Sequence, residues 1–191
     1  MKKIYPLILA SIVISCIFTG CDKLRGRAYA PETPMDSTLV IYYSQNGATR
    51  AVAEELRFQL GCDIAEVKPV RPYNGDYDAT VARMEDELQY GGVIDMEYPD
   101  IDYAKYKTIF IGTPIWGGKC SLPIYSLINE HYWVGKKIFT FCTYGSGGLD
   151  SMTRQVADTQ KDCTIICGFG IENDSICNAP EIIHRYLDES L

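Results

Sequence analysis

Histidine is scarce in this chain: His131 and His184 are the only two in 191 residues, and they lie far apart. None of the eight cysteines forms a Cys-x-x-Cys pair. A zinc site therefore has no support, since such sites repeat Cys and His at short fixed intervals. No glycine-rich stretch is followed by Gly-Lys-Ser/Thr, which excludes a Walker-type loop. The nearest approach to a Gly-x-Ser-x-Gly nucleophile elbow runs from Tyr144 to Gly148, where Tyr144 replaces the first glycine and neither histidine stands out as a base. That argues against a serine hydrolase. Positive charge is also short: 18 Lys and Arg oppose 25 Asp and Glu, for a net −7. An acidic chain argues against nucleic acid and favours basic partners. The apolar run Ile4–Phe18 is too short for the ~20 residues of a comfortable membrane span. Internal repeats and low-complexity tracts are absent.

The N-terminus is a processing pattern. Lys2 and Lys3 precede the apolar run, and Phe18-Thr19-Gly20-Cys21 follows, which reads as an export signal with small residues before a cysteine. It resembles the lipobox of bacterial lipoproteins. The resemblance implies cleavage after residue 20 and a lipid on Cys21; an uncleaved anchor is the alternative. Either tethers the protein to a bacterial membrane, facing the periplasm or otherwise exported. Losing Lys2 and Lys3 with the signal takes the mature charge to −9. Residues 21–36 are polar, contain Pro31 and Pro34, and read as a linker reaching at most roughly 50 Å. Residues 37–191 form one domain. Its six cysteines, Cys62, Cys120, Cys142, Cys163, Cys167 and Cys177, read as small buried hydrophobes, with an inter-strand disulfide left open.

Strand patterns fall at 38–43, 62–67, 107–112, 136–142 and 163–170, and helical patterns at 48–60, 76–90, 122–131, 150–159 and 180–188. Strands such as Lys107–Gly112 and Lys136–Cys142 are too continuously apolar for a one-sided sheet. Five alternations with such strands predict an α/β fold whose parallel sheet is covered on both faces. The first helix keeps Ala48, Val52, Leu56 and Leu60 on one stripe. Residues 91–106, acidic and tyrosine-rich, read as a loop.

In open α/β sheets ligands sit beyond the carboxyl ends of the strands, where the strand order reverses. Three loops therefore matter most. The first, Ser44-Gln45-Asn46-Gly47-Ala48-Thr49, opens a helix and offers hydroxyls, amides and backbone N–H groups; it suits an anion held by neutral donors, though a ligand-free capped helix would look the same. Arg50 reads as a solvated helix residue. The second, Thr113-Pro114-Ile115-Trp116-Gly117-Gly118, puts a tryptophan before two glycines, an arrangement that favours an indole held over a flat ligand above one packed in the core. The third, Thr143-Tyr144-Gly145-Ser146-Gly147-Gly148, supplies a tyrosine with small residues clearing room for a plane.

Together these loops resemble the flavodoxin family, more closely a branch carrying a Pro-Tyr-x-x-Asp-Tyr motif, here Pro72-Tyr73 and Asp76-Tyr77, and an Arg/Glu pair, here Arg83 with Glu85. The resemblance spans about 38–188. It implies a flavodoxin-like three-layer sandwich with a five-stranded parallel sheet, order 2-1-3-4-5, and FMN bound without a covalent link. Ser44 to Thr49 would hold the phosphate. Thr113 to Gly118 would lie against the ring with Trp116 stacked, and Thr143 to Gly148 would line its other side. A carbonyl after Trp116 would turn toward flavin N5, which the double glycine makes cheap. Flavodoxins usually read Ser/Thr-x-Thr-Gly-x-Thr in the first loop; Asn46 replaces the middle threonine and Ala48 a common asparagine, which weakens phosphate binding.

The function expected on this basis is an FMN-dependent electron carrier or oxidoreductase. Its partner would be a redox protein with a basic face or a small-molecule donor. The alternatives are an NAD(P)H- or quinol-linked FMN reductase and a flavodoxin-fold binding module without redox turnover.

Overall fold

The computed structural model describes residues 35–191; the expected signal segment, the lipid-bearing Cys21 and most of the linker lie outside them. Five strands form a parallel sheet: β1 (Thr38–Tyr42), β2 (Asp63–Glu66), β5 (Thr108–Trp116), β7 (Lys137–Tyr144) and β8 (Thr164–Glu172). Their order is β2-β1-β5-β7-β8, so the expected 2-1-3-4-5 arrangement holds. The helices are α1 (Ala48–Leu60), α2 (Tyr77–Gln89), α3 (Leu122–Glu130), α4 (Leu149–Thr159) and α5 (Ala179–Ser190), each matching a periodic stretch to within a few residues.

Alternation along the strands explains why both faces need cover. Leu39, Ile41, Ile109, Ile111 and Ile138 point into one core with Met84 of α2, Ile124 and Leu127 of α3, and Met152 and Val156 of α4. Val40, Phe110, Phe139 and Phe141 point into the other, with Val52 and Leu56 of α1 and Ile183 of α5. Helices α1 and α5 thus make one layer and α2, α3 and α4 the opposite one. Among the described residues no helix is long and apolar enough to cross a membrane.

Three features differ from the sequence reading. Residues 91–106 are not a plain loop: β4 (Met96–Glu97) pairs antiparallel with β3 (Lys68–Pro69), and a 3-10 turn follows at Tyr103–Lys105. A ladder of two residue pairs is too short to leave a hydrophobic period. The expected second loop is mostly strand, because β5 runs on to Trp116 and turns back into β6 (Lys119–Cys120), with Trp116 opposite Lys119. The cysteines also divide. Cys62, Cys120 and Cys142 are buried, with burial pushing each thiol up to about 12, whereas Cys167 and Cys177 are exposed and all six are free.

Gly112, in mid-β5, lies against the ring of Phe141: an added Cβ would meet its Cζ at 2.1 Å. Phe141 is itself stacked on Phe169, with centroids 5.7 Å apart. Gly112→Ala should therefore lower stability by about 1–3 kcal/mol through overpacking. Urea unfolding measures this; an unchanged midpoint would show that the ring swings aside at no cost.

Candidate functional site

The sheet winds in opposite senses on either side of the β1–β5 pair, since β2 lies beyond β1 and β7 and β8 beyond β5. A cleft of about 810 Å³ opens at the carboxyl ends of these strands. All three predicted loops reach it, together with a fourth wall, Tyr73 to Tyr77.

The first loop is folded by its own side chains. Ser44 Oγ accepts the Gly47 N–H at 3.1 Å and Asn46 Oδ1 accepts the Ala48 N–H at 3.3 Å. Asn46 and Gln45 line the cleft; Ser44, Gly47, Ala48 and Thr49, expected there too, are not part of its lining. Thr49 is buried, its hydroxyl 2.8 Å from that of Thr143, so its side chain locks two loops together rather than presenting a free donor. Among the described residues, the amides of Thr49 and Arg50 have no acceptor. They are the unpaired donors of a helix start. Arg50 bonds Glu66 at 2.7 Å, outside the cleft.

In the second segment Pro114, Ile115, Trp116 and Gly118 line the cleft. Two expectations need correction. Thr113 is fully buried, accepting the Ser121 N–H at 3.0 Å with its hydroxyl 2.8 Å from that of Ser121, so it anchors the β5–β6 hairpin. Trp116 is only 2% exposed. Its ring packs edge-on to Tyr43 at 5.8 Å and tilted against Tyr73 at 4.7 Å, so core packing takes most of its surface and leaves no open face for a ligand to stack on. Gly117 and Gly118 form the two-residue turn, with φ of 52° and 76°. Positive φ at both positions is what a type I′ hairpin requires.

From the third loop Thr143, Gly145, Ser146, Gly147 and Gly148 line the cleft. Tyr144 does not: its ring occupies the space a Cβ on Gly170 would need, 2.6 Å away, and it borders a separate hollow of about 510 Å³. It packs on the next strand because β7 continues through Tyr144, opposite Glu172.

The fourth wall was the part missed as a site. Gln45 Nε2 donates to Thr80 Oγ1 at 2.8 Å and to the carbonyls of Tyr73 at 3.3 Å and Gly75 at 3.4 Å, tying this wall to the first loop. The Arg83 guanidinium sits 3.9 Å from the Tyr73 ring centre and donates to the carbonyls of Pro72 and Arg71. Arg83 pairs with Glu87 at 2.9 Å rather than with Glu85 of the motif, because residues four apart share a helix face and residues two apart do not. Glu87 also accepts the Tyr73 hydroxyl. Burial first, then that carboxylate, raises the Tyr73 pKa, so the phenol stays a neutral donor. The Pro-Tyr-x-x-Asp-Tyr motif was the available signal.

The cleft has one charged lining residue, Asp76, and is otherwise lined by neutral residues. A Cβ at Gly118, Gly145 or Gly147 would meet nothing within 4 Å, so open space borders the chain there. The Gln45 and Asn46 side chains of the first loop and the glycine-lined space opposite suit a flat ring carrying a phosphate.

Residues 37–180 match the family model described as Flavodoxin. The chain belongs to the flavodoxin family. Among solved structures, the flavoprotein from Lactobacillus acidophilus NCFM in complex with FMN is 22% identical, with a TM-score of 0.61 over 76% of this chain and 99% of that one. A candidate flavoprotein from Bacteroides eggerthii DSM 20697 is 25% identical, with a TM-score of 0.67 over 80% and 96%. Another, from Bacteroides uniformis ATCC 8492, is 21% identical, also at 0.67, over 80% and 98%. Among curated proteins no sequence matches the chain.

Within this flavodoxin framework the hairpin turn yields a clean test. Since a Cβ on Gly118 has room, Gly118→Ala should cost only its backbone preference, about 1–2 kcal/mol. Gly118→Asn should recover part of that, as Asn tolerates positive φ. Thermal unfolding of the pair reads the difference; equal melting of both variants and the parent would mean that the turn is not held in this conformation.

Proposed function

We propose that this protein binds FMN and carries electrons from a membrane-tethered position. The observation that supports it most directly is the composition of the cleft: the Gln45 and Asn46 side chains where α1 begins, and open glycine-lined space between the second and third loops. When bound, FMN supplies one- and two-electron transfer. The chain's part is to hold and tune it. The Thr49 and Arg50 amides and the Asn46 side-chain amide would hold the phosphate, helped by the positive end of the α1 dipole. Gly145 to Gly148 and the Gly117-Gly118 turn leave room for the ring. Asp76, the one charged residue of the lining, opposes added negative charge and so lowers the potential at which electrons are accepted.

None of the lining residues is a histidine, lysine or cysteine, and the buried thiols are held protonated. The one carboxylate of the lining, Asp76, is already engaged, accepting the Ala79 N–H at the start of α2, and electron carriage needs no general base at all. This favours electron carriage over substrate conversion. The tether follows from the Lys2–Cys21 pattern, and the acidic chain suits a redox partner with a basic face.

The purified protein should be yellow and bind FMN at least tenfold more tightly than riboflavin, since a charge-assisted hydrogen bond to phosphate contributes about 1.5–3 kcal/mol. Fluorescence titration with the two ligands is decisive, and equal affinities would remove the phosphate role of the first loop. Stepwise reduction should bleach the bound colour reversibly. Independently, Cys21→Ser should leave a full-length, unlipidated precursor, seen as a larger band on a gel. Normal processing of that variant would exclude lipidation at this cysteine.

A further inference from the structure

The aromatic rings of the cleft are not equivalent. Trp116 and Tyr73 line it but are only 2% and 5% exposed, because they pack on each other, Trp116 also on Tyr43 and Tyr73 beneath Arg83. Rings buried so far offer an incoming plane little more than an edge. Tyr144 has turned away to Gly170. Tyr77 lines the same cleft and is 59% exposed.

Tyr77 is also held in place. It is the first residue of α2, directly after Asp76, whose carboxylate accepts the Ala79 N–H at 2.9 Å and fixes the helix start. At its other end the phenol oxygen accepts the Gly117 N–H at 3.2 Å, which fastens the side chain to the glycine turn. A large aromatic side chain anchored at both ends beside a cleft, yet left mostly uncovered, has its apolar surface ready for a flat partner.

We propose that Tyr77, rather than Trp116, is the aromatic surface against which the flavin ring rests. The phenol oxygen stays on Gly117 N–H, so the start of α2, the hairpin turn and the bound ring are held as one unit. The partner's chemistry follows from the site: a planar, conjugated, polar-edged ring stacks offset on a tyrosine, and the flavin of FMN has that form. This inference rests on the FMN reading above and goes beyond it by assigning a stacking residue outside the three loops.

The test uses the full-length protein with and without saturating FMN, nitrated in the dark by tetranitromethane, with each tyrosine followed by mass spectrometry. Tyr90 and Tyr132, at 85% and 69% exposed, are internal references away from the cleft lining. FMN should slow nitration of Tyr77 at least fivefold and leave both references unchanged. In parallel, Tyr77→Ala should weaken FMN binding about fivefold, the equivalent of about 1 kcal/mol. Tyr77→Phe, which keeps the ring and loses the bond to Gly117, should stay within twofold of the parent. Equal melting temperatures of the ligand-free variants establish that the fold is intact. Unprotected Tyr77, parent-like affinity in Tyr77→Ala, or a Tyr77→Phe as weak as Tyr77→Ala would each overturn the assignment. A parent protein that binds no FMN would instead bring down the cofactor reading itself, and this inference with it.

Discussion

Because β1 lies between β2 and β5 with both of its faces buried, the connections from it must part: α1 crosses on one side toward β2, and the chain returns by α2 on the other side to reach β5. The turns after β1 and β5 are thereby pushed apart at the carboxyl edge, and the cleft is the space between them. No single residue creates this opening. It follows from covering a parallel sheet on two sides with right-handed crossovers.

Given that opening, the cleft keeps its shape through contacts within and around its lining. The Thr49–Thr143 hydroxyl pair joins the first and third loops, Thr113 and Ser121 close the hairpin, and Gln45 spans to the wall that carries Tyr73. Arg83 holds that wall from behind, with its charge over the Tyr73 ring and its donors on Glu87 and two carbonyls. The guanidinium is only partly exposed, so these bonds act in a medium less screening than bulk water and position the wall firmly. By contrast the Arg50–Glu66 pair has an arginine side chain 46% exposed and contributes little to stability.

The electrostatic character of the cleft is set by what was left out. With Asp76 as its one charged lining residue, the cleft has no fixed cation to bring to a phosphate, so binding depends on dipoles: backbone amides and side-chain amides that cannot titrate.

Much of this was legible in the residues. Strand-like runs of six to eight residues alternating with 3.6-period stretches gave ten elements to within a few residues, because burial on both faces leaves the central strands nowhere to place polar side chains. The glycine-rich stretches marked where backbone must approach a ligand or turn sharply. The direction in which each aromatic points was not legible. Trp116 before two glycines looks the same whether the indole faces a ligand or packs on Tyr43 and Tyr73, and Tyr144 looks the same whether it faces the cleft or Gly170. The partner of Arg83 was likewise open until α2 put Glu87 on its face and Glu85 away from it. Local sequence determined which segments form strands, helices and turns, since period and backbone preference are local properties. Only the tertiary structure decided which rings are spent on the core and which remain for a ligand, because that depends on neighbours far away in the chain, and Tyr77 meets Gly117 across forty positions of sequence.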